Sequence, residues 1–317
     1  MIQLAAFFIV IFGLKFLSPV LIYLILSLFF TILLVPIFRY IDKKGLPAII
    51  AYAITLGGFV VILTQLILLL QASFQDFLAH LGFYQEQLNL LFHQMQTFLH
   101  QYGYSLQGVN SADFFTIIKQ FFAKAGGFLS GFLIVVIGVS FLLFESQDFG
   151  KKVSLLFGNQ KMVHSFFVSV QKYFLIKTLT SLLTGFGVAV MLFLFHIPYV
   201  FMLGFMAFLF NYIPVVGSII AGIFGTTLAL LTVGVENALW VGLLYVVINV
   251  VISNIIEPKV MGDGLDLSPA VVFFSLIFWG WLFGIVGTFF AVPLTMTIKL
   301  ALQSSPKTEY LARLLSK

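Results

Sequence analysis

Long apolar stretches alternate with short polar ones from the first residues of the chain to near its end. A helix needs about 20 mainly apolar residues to cross the hydrocarbon of a bilayer. The apolar stretches cover residues 2–14, 20–38, 48–70, 126–144, 173–195, 200–233, 238–256 and 269–298. This pattern predicts an all-α integral membrane protein with about eight hydrophobic segments. The first segment lacks a basic start and a small-residue cleavage site, so we expect it to be retained.

Two of the late stretches are too long for one plain crossing helix. The stretch 200–233 is interrupted by Asn211, Pro214 and Gly217, and the stretch 269–298 contains Gly280, Gly284 and Gly287. Proline removes a backbone donor and glycine permits unusual turns, so both stretches are predicted to contain broken or re-entrant helices. The pattern is compatible with crossing as well as with re-entry.

Between the third and fourth segments, residues 71–125 are too polar to span a membrane. Apolar residues there fall at heptad positions a and d over four heptads. They are Phe74, Phe77, Leu81, Tyr84, Leu88, Leu91, Met95, Phe98 and Tyr102. An amphipathic helical arm outside the bilayer is predicted, packed either on its own chain and the membrane surface or on neighbouring subunits. Its histidines, His80, His93 and His100, are not spaced i and i+4, so no metal site is predicted.

The chain therefore divides into consecutive regions. Residues 1–70 hold segments one to three, 71–125 the arm, 126–146 segment four, 147–172 a basic linker, 173–298 a C-terminal transmembrane core, and 299–317 a basic tail.

Composition supports a membrane environment. Of 317 residues, 61% are hydrophobic and only 9% charged, whereas about a quarter are charged in a typical soluble domain. Lysines and arginines concentrate at residues 39–44, 151–177 and 299–317, which are therefore expected on the cytoplasmic side, together with both termini. No basic face suited to nucleic acid accompanies the net charge of +5. Without cysteine, the chain has no disulfide or thiolate site.

Polar residues inside apolar segments indicate where a solute path would run. The fifth segment places Lys177, Thr180, Ser181 and Thr184 on one helical face, as helix-packing groups or as a polar wall. The seventh segment carries a second stripe, which ends in a carboxylate at the helix end. Its members are Tyr245, Asn249, Ser253 and Glu257, with Asn254 beside them.

The sharpest local feature is the break that contains Asn211, Tyr212, Pro214 and Gly217. Discontinuous helices of this kind recur at transporter binding sites, although a plain loop between short helices has the same sequence pattern. Nucleophile-elbow, zincin, phosphate-loop and dinucleotide-binding motifs do not occur, so an enzyme and a cofactor are not predicted.

Three late motifs together resemble the autoinducer-2 exporter family. They are the run from Asn211 to Ser218, the run from Ile256 to Gly262 with Pro258, and the run from Ala291 to Leu294 with Pro293. The resemblance extends over nearly the whole chain. It implies a multi-pass bacterial inner-membrane protein that forms a homo-oligomer and exports the autoinducer-2 signal. Some members of that family resemble sodium/proton antiporters.

We therefore expect a secondary transporter or permease for a small polar metabolite. Its expected partners are the lipid bilayer, the solute and further copies of the chain. Sodium/proton antiport is an alternative, for which Glu145, Glu236 and Glu257 are the candidate carboxylates near segment ends. A further alternative is a membrane scaffold that assembles through the arm and transports nothing.

Overall fold

A computed structural model describes residues 2–102, 116, 128–157, 160–214, 216–261, 267–303 and 308–316. Regular structure in these ranges is entirely helical. The α-helices are α1 (Ile2–Asp42), α2 (Ala48–Ala79), α3 (Leu81–Gln101), α4 (Phe128–Phe157), α5 (Gln160–Leu194), α6 (Val200–Phe210), α7 (Val216–Val233), α8 (Val235–Val250), α9 (Glu257–Met261), α10 (Pro269–Phe289), α11 (Ala291–Gln303) and α12 (Glu309–Leu314). A π-helical segment, Val251–Ile256, joins α8 to α9.

Six helices of the described part are long and apolar enough to cross a membrane. The crossing candidates are Phe8–Asp42, Ala48–Ala79, Phe167–Leu194, Val216–Val233, Val235–Val260 and Pro269–Phe289. Two shorter apolar helices, Gly131–Ser146 and Val200–Phe210, accompany them. The predicted class, an all-α integral membrane protein, is confirmed. The predicted basic linker is largely helical, because α4 and α5 extend into it from both sides.

Helix α1 is continuous where the sequence predicted two segments. It runs through Lys15 and Pro19, which were expected to separate residues 2–14 from 20–38. The ammonium of Lys15 does not end the helix because it donates to the backbone carbonyls of Trp281 and Leu282 in α10. The same ammonium lies 5.4 Å from the centre of the Trp281 ring. Carbonyl and aromatic partners of this kind stabilise a cation on an apolar helix.

Residues 71–102, the described beginning of the predicted arm, form two helical pieces rather than one. The end of α2 forms its beginning, His80 interrupts the helix, and α3 follows. The first part of the heptad stripe, including Phe77, Leu81 and Tyr84, is buried in a cluster with residues of α5 to α8. The later stripe residues Met95, Phe98 and Tyr102 are exposed. The described part of the arm thus packs on its own chain from Phe77 to Leu88.

The apolar core consists of several clusters between neighbouring helices. One lies among α5, α6, α7 and α8 beneath the start of α3. A second joins α1 to α5, α10 and α11, and a third joins α1 to α2 and α4. The first two clusters flank α5, which thereby becomes the central helix of the C-terminal core.

Both long late stretches are broken, as the sequence predicted. In the first, the turn at residues 211–214 separates α6 from α7, and Gly217 lies directly against the backbone carbonyl of Phe210. In the second, Gly284 leaves the helical conformation with φ 64° and ψ −147°. A residue with a side chain rarely adopts a φ of this sign, so glycine permits the break.

The glycine that follows the first turn provides a test of the fold. A Cβ atom at Gly217 would lie 1.8 Å from the Phe210 carbonyl oxygen, which is a backbone atom that cannot rotate away. We expect Gly217→Ala to lower the free energy of unfolding by about 1–3 kcal/mol, as overpacking does. Thermal unfolding of the purified protein in detergent measures the effect.

The matched control is Gly57→Ala in α2, where a Cβ atom meets nothing within 4 Å. Alanine is the better helix former there, so we expect an unchanged or slightly raised melting temperature. Equal melting temperatures for the two variants would contradict the close packing of this turn.

Candidate functional site

A cavity of about 780 Å³ opens among α5, the turn between α6 and α7, α7, α8 and the π-helical segment. Its lining combines apolar side chains with hydroxyl, amide and charged groups. The lining residues are Lys177, Asn211, Ile213, Pro214, Ser218, Ile219, Gly222, Ile223, Thr226, Thr227, Gly242, Tyr245, Val246, Asn249, Ser253, Asn254 and Glu257.

A buried ion pair lies at one end of the polar lining. The Lys177 ammonium in α5 donates to both carboxylate oxygens of Glu257, each at 2.9 Å. The two side chains are only 5% and 15% exposed. The hydroxyl of Thr180, one helical turn along α5, lies 3.5 Å from one of the same oxygens. Isolated charges are costly away from water, so each partner makes the burial of the other tolerable.

The local sequence positions Glu257 at a change in helical geometry. The π-helical segment ends at Ile256, and α9 begins with Glu257 and Pro258. Proline has no backbone N–H with which to continue the preceding hydrogen-bond pattern, but the first turn of a helix tolerates it. Short π-helical segments are often found at functional sites. This segment carries Ser253 and Asn254, which both line the cavity.

A second polar contact ties the interrupted stretch to α5. The side-chain amide of Asn211 donates to the Ser181 hydroxyl at 3.0 Å, and both residues are buried. Proline at position 214 lies at the cavity wall in the same turn. The two sequence features that were singled out separately, the polar face of α5 and the break after α6, therefore meet in the structure.

The stripe on α8 continues this polar surface. The Ser253 hydroxyl donates to the Asn249 side-chain oxygen at 3.3 Å. Tyr245, one turn earlier, is buried against the glycines of α7, Gly222 and Gly225. Its hydroxyl has no hydrogen-bond partner among the described residues. Asn249, Ser253, Asn254 and Glu257 thus follow one wall of the cavity.

Some residues predicted for the path lie beside the cavity rather than in its lining. The Tyr212 hydroxyl pairs with Thr178 at 2.7 Å, and Gly217 packs on the preceding turn. Thr180 and Ser181 contact the lining residues Glu257 and Asn211, while Thr184 donates only to the carbonyl of Thr180.

Two motif residues of the family resemblance, Pro258 and Pro293, lie apart from this lining. Pro258 is the second residue of α9, and Pro293 is buried in α11. Gly262 lies outside the described residues.

The helix α7 contributes lining residues that the sequence analysis did not select. Ser218, Gly222 and Thr226 are four residues apart and face the cavity together, with Thr227 beside them. The four-residue spacing of small and hydroxyl side chains was the available signal. The helix-breaking residues Pro214 and Gly217 directly before it are the stronger local signal. In the described part of the chain, no three His, Cys, Asp or Glu side chains lie together as metal ligands would.

Crossing helices, a broken helix and a polar cavity between them define a multi-pass membrane protein of the transporter class. The model of the AI-2E family transporter matches residues 4–307. The chain belongs to this family, which is a family of transporters and not of enzymes.

Several bacterial relatives match along most of their own length. YhhT of Escherichia coli (strain K12), whose name marks its transport role as provisional, is 31% identical over 99% of this chain and 93% of its own. The AI-2 transport protein TqsA of the same organism is 29% identical over 99% of this chain and 94% of its own. YrrI of Bacillus subtilis (strain 168) is 26% identical over 87% of this chain and 84% of its own.

The ion pair makes a testable contribution to stability. Removing one partner of a buried pair leaves an uncompensated charge, which costs about 3–5 kcal/mol. We therefore expect Lys177→Met to lower the free energy of unfolding by about this amount, and Glu257→Gln to lower it as well. The double variant should be more stable than either single variant, because it buries no unpaired charge.

Reversible unfolding of detergent-solubilised protein measures all three variants. Lys172→Met is the matched control, since Lys172 lies on the same helix but is exposed, and it should unfold like the parent. Strictly additive effects of the two single changes would show that the side chains do not interact.

Proposed function

We propose that this chain is a permease that moves a small polar solute across the bacterial inner membrane through the cavity between α5, α7 and α8. The observation that carries the proposal is the convergence of separately predicted path residues on one cavity. Those that line it are Lys177, Asn211, Pro214, Asn249, Ser253, Asn254 and Glu257.

The physical character of the cavity supports a small hydrogen-bonding solute. Its volume of about 780 Å³ lies within the usual range for small-molecule sites. Amide side chains at Asn211, Asn249 and Asn254 offer donors and acceptors, and isoleucines supply apolar contact. Polar groups in membrane helices are costly and commonly mark a solute pathway.

Export of autoinducer-2 is the specific transport that we propose for testing. The name of TqsA, AI-2 transport protein, refers to this signal, and its sequence matches nearly the whole chain. Six crossing candidates and the polar cavity agree with transport in general. The solute and the outward direction are part of the proposal.

We propose that the chain lies in the inner membrane with an orientation set by its basic residues. We propose that the turn around Lys43 and Lys44 and the tail 299–317 face the cytoplasm. A cytoplasmic N-terminus was expected from two crossings before Arg39. Since α1 is one helix, we propose a single crossing that places its first residues on the outer side.

The exposed end of α3 suggests how copies of the chain associate. Met95, Phe98 and Tyr102 continue the apolar stripe of α3 but are exposed, whereas the first half is covered by the chain's own helices. We therefore propose a homo-oligomer in which this end of α3 contacts neighbouring subunits.

Transport is tested with autoinducer-2 as the probe in bacteria that make the signal but lack their own exporter. Asn211→Ala and Asn249→Ala, at equal membrane abundance, should reduce extracellular signal about tenfold, since losing a hydrogen bond in a buried site costs about 1–3 kcal/mol. Asn237→Ala is the matched control, because Asn237 is exposed on the same helix as Asn249. Full export by both cavity variants would refute this site.

Water access to the cavity is tested separately through single cysteines, because the chain has none of its own. Thr226→Cys and Ser253→Cys should react with a charged methanethiosulfonate reagent in membranes, since thiolates form in water. Leu243→Cys, exposed on the apolar surface of α8, should react at least tenfold more slowly. Equal rates at the three positions would contradict an aqueous cavity.

A further inference from the structure

The carboxylate of Glu257 lines the cavity, and acidic groups within membrane segments commonly mark ion paths. A buried carboxylate requires a positive partner, and a sodium ion bound from solution would supply one. In this chain the partner is covalently attached. The Lys177 ammonium is 2.9 Å from both carboxylate oxygens, so it occupies the position between them.

The ion pair leaves the cavity without an uncompensated charge. Among the described lining residues, Lys177 and Glu257 are the two charged side chains, and they neutralise each other. Lysine suits this role because its ammonium is a compact charge on a flexible stem. A sodium ion that entered the site would meet the ammonium at short distance.

The other carboxylates considered for ion coupling lie in different surroundings. Glu145 is exposed on α4, and Glu236 is exposed in the first turn of α8. Neither lines the cavity. Within the described residues, the acidic group at the solute site is therefore the one that Lys177 already neutralises.

We propose that Lys177 is a built-in countercation that takes the place of a coupling sodium ion, so that the cavity binds its solute without sodium. This inference rests on the proposed solute path, because it concerns how that path is energised. A carrier of this kind follows the concentration gradient of its solute or uses a source other than sodium.

Sodium binding to the purified protein tests the proposal without knowledge of the solute. Binding of radioactive sodium and the melting temperature are measured in sodium chloride and in choline chloride of equal ionic strength. The parent protein should show no saturable sodium binding and the same melting temperature in both salts. Lys177→Met should bind about one sodium ion per chain and melt higher in sodium chloride, as linkage requires.

Two further variants keep the test decisive. Lys177→Met with Glu257→Gln removes the carboxylate as well, so sodium should neither bind nor raise its melting temperature. Lys172→Met, exposed on the same helix, should behave like the parent. If Lys177→Met does not fold, saturable sodium binding by the parent would still overturn the proposal.

Saturable sodium binding by the parent that disappears in Glu257→Gln would overturn the proposal. So would a folded Lys177→Met variant with no sodium response. Neither result bears on the proposed solute path. That path would instead be refuted by unimpaired autoinducer-2 export in Asn211→Ala and Asn249→Ala. The two outcomes are therefore distinguishable.

Discussion

The compensation of charge between Lys177 and Glu257 is the interaction on which the arrangement of the C-terminal core depends. The carboxylate comes from the junction between the π-helical segment and α9, and the ammonium comes from the central helix α5. Neither group is tolerated alone in an apolar surrounding, so the two elements are held in register. Thr180 and the contact between Asn211 and Ser181 extend the same polar surface toward the turn after α6.

The bilayer imposes a second constraint, which explains where the helices break. Backbone groups in hydrocarbon need internal partners, and interruptions persist only where protein or water covers them. The turn at residues 211–214 borders the cavity. Gly217, just after the turn, packs against the backbone of Phe210 just before it. At Gly284 the carbonyls of Trp281 and Leu282, just before the break, accept hydrogen bonds from Lys15.

Much of the helical architecture could be predicted from the sequence, because helices that cross hydrocarbon need long apolar stretches. Apolar length located the crossing helices, and the cost of polar groups located Lys177, Asn249 and Glu257. It did not predict that Lys177 meets Glu257, since the two are 80 positions apart and their pairing depends on helix packing. The expectation of two segments before Arg39 was wrong. It assumed that Lys15 and Pro19 end a membrane helix, as a charge and a proline usually do, but α1 continues through both. A distant helix supplies the partners of Lys15, which no local pattern shows.

The central claim is that Lys177 and Glu257 form a direct ion pair in the membrane, and solid-state nuclear magnetic resonance measures it. Protein with ¹⁵N-labelled lysine ammonium groups and ¹³C-labelled glutamate carboxyl groups is reconstituted in lipid, and the Glu257→Gln variant assigns the signal. The nitrogen should lie within about 4 Å of the carboxyl carbon, since it is 2.9 Å from both oxygens. If the parent protein shows no more dipolar coupling than the Glu257→Gln variant, the ion pair and the account built on it are contradicted.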